Sequence, residues 1–155
     1  MTMPLDGLLQ HLRQPQVRDL AWTLLSPALL DERALPLRDP LAASIWRAEP
    51  QRLIDWLLHQ EAKPSALLAY LAGGSSRLGR YYERLWQFAL QAAPDVQLLA
   101  AGLPVRQAGQ TLGELDLLLR DDQGTHHLEL AIKLYLGPEQ AAEVGSLPRG
   151  RGVLG

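Results

Sequence analysis

The feature that most constrains the fold is a pair of segments in which leucine alternates with other residues. Residues 113–121 read GELDLLLRD and residues 126–136 read HHLELAIKLYL, and the turn-forming sequence DDQGT joins them. A period of two is typical of β-strands with one buried face, and a tight turn between two such strands predicts an antiparallel hairpin. Because the apolar rows of both strands must share a face, we expect that face to cover a core.

The first 72 residues have helical rather than strand periodicity. Prolines at 15, 40, 50 and 64 each precede or open an apolar stretch with three-four spacing, which predicts a series of short helices. The proline-rich segment 26–40 is typical of a loop. The aromatic residues that we expect in the core of this helical region are Trp22, Trp46, Trp56 and Tyr70.

A longer helix is predicted from the two glycines at 73–74 to about Ala92, with Ser75 or Ser76 as its N-cap. Its polar residues follow one face, and its expected buried stripe follows the other, with Glu83 at the boundary between them. The polar face comprises Arg77, Arg80, Arg84, Gln87 and Gln91. The expected buried stripe comprises Leu78, Tyr82, Leu85 and Ala89. The three arginines form a basic stripe, which is either a solvated face or a contact for a phosphate backbone.

The order of these patterns predicts an α+β protein of one domain's length. We expect a helical region at 1–72, an α-β-β-β core at 73–137 whose strands begin with 96–105, and a mobile tail at 138–155. The 155 residues include no cysteine, which excludes disulfides and thiol chemistry and fits a cytoplasmic protein. No apolar run is long enough for a membrane span. The net charge of −2 excludes nucleic-acid binding through bulk positive charge, although a local basic patch remains compatible with it.

The turn of the hairpin decides which residues face each other. A two-residue turn at 122–123 places Asp116 opposite Glu129, whereas a turn at 123–124 places Asp116 opposite Ala131 and Glu114 opposite Lys133. Both alternatives leave Asp116, Glu129 and Lys133 on the face away from the leucines. Opposed carboxylates repel unless a cation or a shared proton relieves them, and magnesium suits oxygen ligands. The alternative is a solvated polar face with no metal.

The succession of a helical glutamate, a strand aspartate and a strand with glutamate and lysine resembles the PD-(D/E)XK nuclease superfamily. More closely, VRDLAWTLLSPALL, LGRYYERLWQFAL, GELDLLLRD and HHLELAIKLYL resemble an uncharacterised bacterial family, domain of unknown function 1853. The superfamily resemblance implies a restriction-endonuclease-like core with a mixed sheet, and we expect the C-terminal part of that core, its closing helix and fourth strand, to be missing here. It also implies that Asp116 and Glu129 hold Mg²⁺, that Lys133 is the catalytic lysine and that Glu83 is an auxiliary acid.

The sequence departs from the superfamily pattern at one position of the motif. The usual acid stands two residues before the lysine, but residue 131 is alanine and Glu129 stands four before Lys133. The resemblance therefore leads to two expectations. The first is a magnesium-dependent nuclease that contacts nucleic acid through Arg77, Arg80 and Arg84. The second is an inactive nuclease-like fold that binds nucleic acid or protein.

Overall fold

A computed structural model describes residues 5–26, 38–74, 77–130, 133–135 and 152–154. Within these ranges the helices are α1 (Leu5–His11), α2 (Pro15–Leu25), α3 (Ile45–Ala48), α4 (Pro50–Ala62), α5 (Ser65–Leu71) and α6 (Leu78–Ala92). The strands are β1 (Gln97–Gln107), β2 (Gln110–Asp121), β3 (Gly124–Leu128), β4 (Lys133–Tyr135) and β5 (Gly152–Leu154). The predicted α+β class and the order of helices before strands are confirmed. The proline-rich loop expected at 26–40 lies mostly outside the described residues, as do the expected caps Ser75 and Ser76.

The helices begin where the sequence supplies start signals. Proline occupies the first turn of both α2 and α4, where its missing N–H costs no hydrogen bond. Ser44 caps α3 by accepting a hydrogen bond from the Trp46 backbone N–H. Glu61 near the end of α4 accepts hydrogen bonds from the backbone N–H groups of Arg13 (2.7 Å) and Gln14 (3.2 Å), and so ties α4 to the start of α2. These contacts fix the helices against one another.

One apolar core joins the helices to the sheet. Fully buried leucines and alanines of α2, α4 and α6 pack together with Leu117 and Leu119 of β2, both of which are 0% exposed. Leu128 and Leu130 pack against the same core, so the leucine face predicted for the hairpin is confirmed for its described residues. Full burial of a leucine side chain contributes about 1.5–3 kcal/mol relative to exposure.

Two predictions about burial are corrected by the packing. Trp22 is 41% exposed, because α2 turns its Val17, Leu20, Ala21 and Leu24 face toward the core. Leu78 is also 41% exposed, since it stands at the first position of α6, beyond the buried part of that helix. Trp86 is buried in its place on α6. Trp46 is buried as expected, and its ring lies 4.9 Å from that of Trp56.

The described three-stranded sheet is antiparallel throughout, with the order β1-β2-β3, and the expected mixed sheet is wrong for these strands. Both connections are two-residue turns, which can only join antiparallel neighbours. The β1–β2 turn places Ala108 (φ 52°) and Gly109 (φ 79°) in the left-handed region. The predicted single strand at 126–136 is also wrong, because β3 ends at Leu128 and β4 pairs with β5 in a separate two-stranded sheet. That β5 lies inside the segment expected to be a mobile tail.

Candidate functional site: an arginine-lined groove on α6

The N-terminal half of α6 borders a surface groove of about 560 Å³. Its lining residues are Gly73, Gly74, Arg77, Arg80, Glu83, Arg84 and Gln87. We call this feature the α6 groove. It unites the three arginines and the glutamate that the sequence singled out on this helix, and one wall is formed by the turn after α5. The groove is large enough for a small ligand or a segment of a polymer.

The groove has an excess of positive charge. Three guanidinium groups face one carboxylate, and the Arg80 Nη1 atom lies 3.2 Å from Glu83 Oε2. The Arg80 side chain remains half-exposed, whereas that of Glu83 is 17% exposed. Arg77 is the N-cap residue of α6, and its own side chain makes no capping hydrogen bond among the described residues. The positive end of the helix dipole therefore lies beside the arginines that line the groove.

Arg84 is held more firmly than a surface arginine usually is. Its guanidinium carbon lies 4.6 Å from the centroid of the Tyr70 ring, and its Nη2 atom donates a hydrogen bond to the Tyr70 carbonyl. The hydroxyl of the same tyrosine donates to Gln87 Oε1 at 2.9 Å. Tyr70 thus connects α5 to two residues that line the groove.

The hairpin register confirms one of the two alternatives for the turn. Asp121 pairs with Gly124 and Leu117 with Leu128, so the turn is at 122–123. Continuation of this register places Asp116 opposite Glu129, on the face away from Leu117 and Leu119. Strand pairing ends one step before that position, and the Leu130 backbone N–H donates to Asp116 Oδ2 at 2.8 Å. Asp116 therefore has a structural role at the end of β3.

The predicted metal site is only partly assembled by the described residues. Within them, no group of three or more histidine, aspartate or glutamate side chains could hold a metal ion. Glu83 lies in the α6 groove, and neither Asp116 nor Glu129 is among its lining residues. The backbone of Lys133 belongs to β4, but its side chain is outside the described part. The assignment of Asp116 and Glu129 to Mg²⁺ and of Lys133 and Glu83 to catalysis stays a prediction.

Comparison with known proteins identifies the family but no activity. The family described as Domain of unknown function (DUF1853) matches residues 18–147, which is most of the chain. The chain belongs to this family. No curated protein and no solved structure matches it significantly. Among the described residues, no helix is long and apolar enough to cross a membrane.

One polar cluster was missed by reasoning from the sequence. The Asp121 side chain is fully buried and accepts hydrogen bonds from Arg38 Nη2 (2.6 Å), the Gln123 backbone N–H (2.8 Å) and His126 Nε2 (3.0 Å). Burial by itself raises the pKa of this carboxyl, but the three hydrogen bonds outweigh it and hold the pKa below its usual value. The signal was present, since Asp121 continues the row of Leu117 and Leu119 on the core face.

Proposed function

We propose that this protein binds the phosphate backbone of a nucleic acid through the α6 groove. The observation that carries the proposal is that Arg77, Arg80 and Arg84 line the same surface groove. They are spaced by three and four residues, which places neighbouring side chains about 5–6 Å apart along the helix. A row of charges of this kind suits a polymer with a row of phosphates better than a single small anion.

The overall charge of the chain is compatible with this proposal. Because the net charge is −2, attraction to a polyanion must come from a local surface, and the α6 groove supplies one. Contacts to phosphate oxygens carry little sequence information, so we expect binding that depends strongly on salt and weakly on sequence.

The test is a binding titration with labelled single-stranded and duplex oligonucleotides at several salt concentrations. The triple variant R77Q/R80Q/R84Q should lower affinity at least tenfold and reduce the slope of log K against log salt by about 3, since each lost phosphate contact removes about 1. The matched control is R13Q/R106Q/R120Q, which removes the same charge at exposed arginines outside the groove. Equal losses in both triple variants would contradict the proposal, because they would indicate a general charge effect.

A second candidate function is magnesium-dependent cleavage of phosphodiesters. The observation that favours it is the hairpin register, in which Leu117 pairs with Leu128, so that the next step of the same register would bring Asp116 beside Glu129 on the polar face. Mg²⁺ commonly binds through one or two carboxylates and completes its coordination with water and substrate phosphates, so two acids suffice in principle. The ion would supply charge neutralisation at the phosphate, and Asp116 would have to bind it while holding the Leu130 N–H through Oδ2.

A magnesium titration followed by thermal unfolding tests this second candidate. If the carboxylates bind the ion only in the folded state, millimolar Mg²⁺ should raise the melting temperature of the wild type and leave D116N unchanged. Asparagine keeps an oxygen that accepts from the Leu130 N–H, so D116N removes charge while preserving this contact. The matched control is D122N, which changes an exposed carboxylate in the adjacent turn. A melting temperature that does not change with Mg²⁺ would contradict a metal site formed by Asp116 and Glu129 in the free protein.

A further inference from the structure

The three arginines of the α6 groove differ in how they are held. Arg77 is the exposed N-cap residue of α6 and Arg80 lies on the exposed first turn of the helix, where it pairs with Glu83. Arg84 instead contacts a different element, α5, through the ring and the backbone carbonyl of Tyr70. Its partners are therefore fixed by tertiary packing rather than by its own helix.

The other side of Arg84 is also confined. A Cβ atom built on Gly74 would lie 3.1 Å from Arg84 Cδ and 3.2 Å from Arg84 Nε, so this glycine leaves the space that the side chain occupies. The Nε atom is buried and has no hydrogen-bond partner within the described part of the chain. The stacking on Tyr70 and the contact with Gly74 thus determine the position of the guanidinium, and the Nε–H is removed from water.

Tyr70 is itself anchored. Its ring lies 5.7 Å from that of Phe88, and its hydroxyl donates to Gln87 while accepting from Gln91 Nε2 at 3.4 Å. Because Tyr70 is anchored, the Arg84 side chain that stacks on it loses little conformational entropy when it binds a ligand. An immobilised guanidinium can also present its planar fork to a phosphate with fixed geometry, which a lysine ammonium cannot do.

We propose that Tyr70 is a positioning residue that holds Arg84 as a rigid phosphate clamp, whereas Arg77 and Arg80 act mainly through their charge. This inference rests on the proposed binding of nucleic acid in the α6 groove and assigns different roles to its arginines. Its direct consequence is that replacement by lysine is tolerated at positions 77 and 80 but not at position 84.

The first experiment compares single arginine-to-lysine variants by oligonucleotide binding at one salt concentration. R77K and R80K should bind within about twofold of the wild type, because both keep the charge. R84K should lose about five- to tenfold in affinity while its salt slope stays near that of the wild type, since lysine cannot reproduce the stacked, planar geometry. An R84K variant that binds as well as R80K would overturn the inference.

The second experiment needs no nucleic acid and observes the clamp itself. In protein labelled with ¹⁵N-arginine, the Arg84 Nε–H should exchange with water more slowly than those of Arg77 and Arg80, because the Arg84 Nε is buried and its guanidinium is stacked on Tyr70, whereas Arg77 and Arg80 are exposed residues. Y70F keeps the ring and the carbonyl, so it should preserve both the slow exchange and the affinity. Y70L should lose both. G74A tests the same contact from the other side without removing a charge. Its Cβ would require Arg84 to shift by a few tenths of an ångström, and we expect this shift to weaken binding.

The outcomes separate the two proposals. Rapid exchange of the Arg84 Nε–H in the wild type would overturn the positioning role whether or not the protein binds nucleic acid. Slow exchange in a protein that binds no oligonucleotide would overturn the proposed function and the ligand role of the clamp together. The melting temperatures of Y70L and R84K show whether a loss of affinity comes from unfolding of the variant. If both variants are unfolded, G74A becomes the decisive variant, and unchanged affinity of G74A would overturn the inference.

Discussion

Replacement of Asp121 by asparagine should destabilise the protein by removing the charge at the centre of a buried cluster. Asp121 closes β2 at the turn and receives hydrogen bonds from Arg38, from the Gln123 backbone and from His126. Its side chain is 0% exposed, and Arg38 lies 83 residues earlier in the chain. The cluster therefore ties the segment before α3 to the end of the hairpin.

The magnitude follows from the burial of the two charges. A charge-assisted hydrogen bond contributes about 1.5–3 kcal/mol, and breaking a fully buried ion pair costs about 3–5 kcal/mol. The Arg38 side chain is 24% exposed, so water can solvate it when its partner is lost, and screening reduces the effect. We therefore expect D121N to lose about 1–2 kcal/mol of unfolding free energy, or about 3–6 °C in melting temperature for a domain of this size.

The same variant should change how stability depends on pH. The pKa of Asp121 is lowered in the folded state, so its contribution is fully present above the unfolded pKa of about 3.9. It is lost as the pH falls from there through the folded pKa. The part of the difference between wild type and D121N that comes from the Asp121 charge should consequently be fully present above about pH 5 and shrink in more acidic solution.

Urea denaturation from pH 7 to pH 3 measures this difference, with D122N as the control. Asp122 is the exposed neighbouring carboxylate, and its replacement should change the unfolding free energy by less than about 0.5 kcal/mol. A D121N variant as stable as D122N at pH 7 would refute the proposed anchoring. So would a stability difference that persists unchanged at pH 3.

Two further substitutions test the turn between β1 and β2 and the tie between α4 and α2. Ala108 has φ 52°, a conformation that asparagine tolerates and β-branched residues do not. A108N should therefore raise the unfolding free energy by about 0.5–1 kcal/mol, and A108V should lower it, as measured by thermal unfolding. Stabilisation by both would contradict this account. Glu61 accepts hydrogen bonds from two backbone N–H groups, so E61A should cost about 1–2 kcal/mol, and the matched exposed variant E49A should cost clearly less in the same urea titration.

The local patterns of the sequence were sufficient to predict the elements that are regular over several residues. Strict alternation around the DDQGT turn predicted the hairpin and its leucine face, and the structure buries Leu117 and Leu119 as expected. The three-four spacing on α6 likewise placed Arg77, Arg80 and Arg84 on one side of the helix. Period and turn chemistry are properties of neighbouring residues, so they are readable without knowledge of the rest of the fold.

The prediction of one continuous strand failed beyond Leu128, because alternation does not specify the hydrogen-bond partner of a strand. Alternation of apolar and polar residues continues through residues 129–136. However, the Leu130 N–H donates its hydrogen bond to the Asp116 side chain, and β4 pairs with β5. Alternation shows which side chains share a face and says nothing about which strand supplies the hydrogen bonds. A competing side-chain acceptor can therefore end a strand within an unbroken pattern.

The sequence alone determined the class of the protein, the faces of its helices and strands, and the position of its arginine stripe, because these depend on periodicity along short segments. Only the tertiary structure decided which of those faces another element covers. It left Trp22 exposed, stacked Arg84 on Tyr70 and brought Arg38 to Asp121. Such contacts join residues that are far apart in the chain, and their geometry depends on how whole elements pack together, which no local pattern encodes.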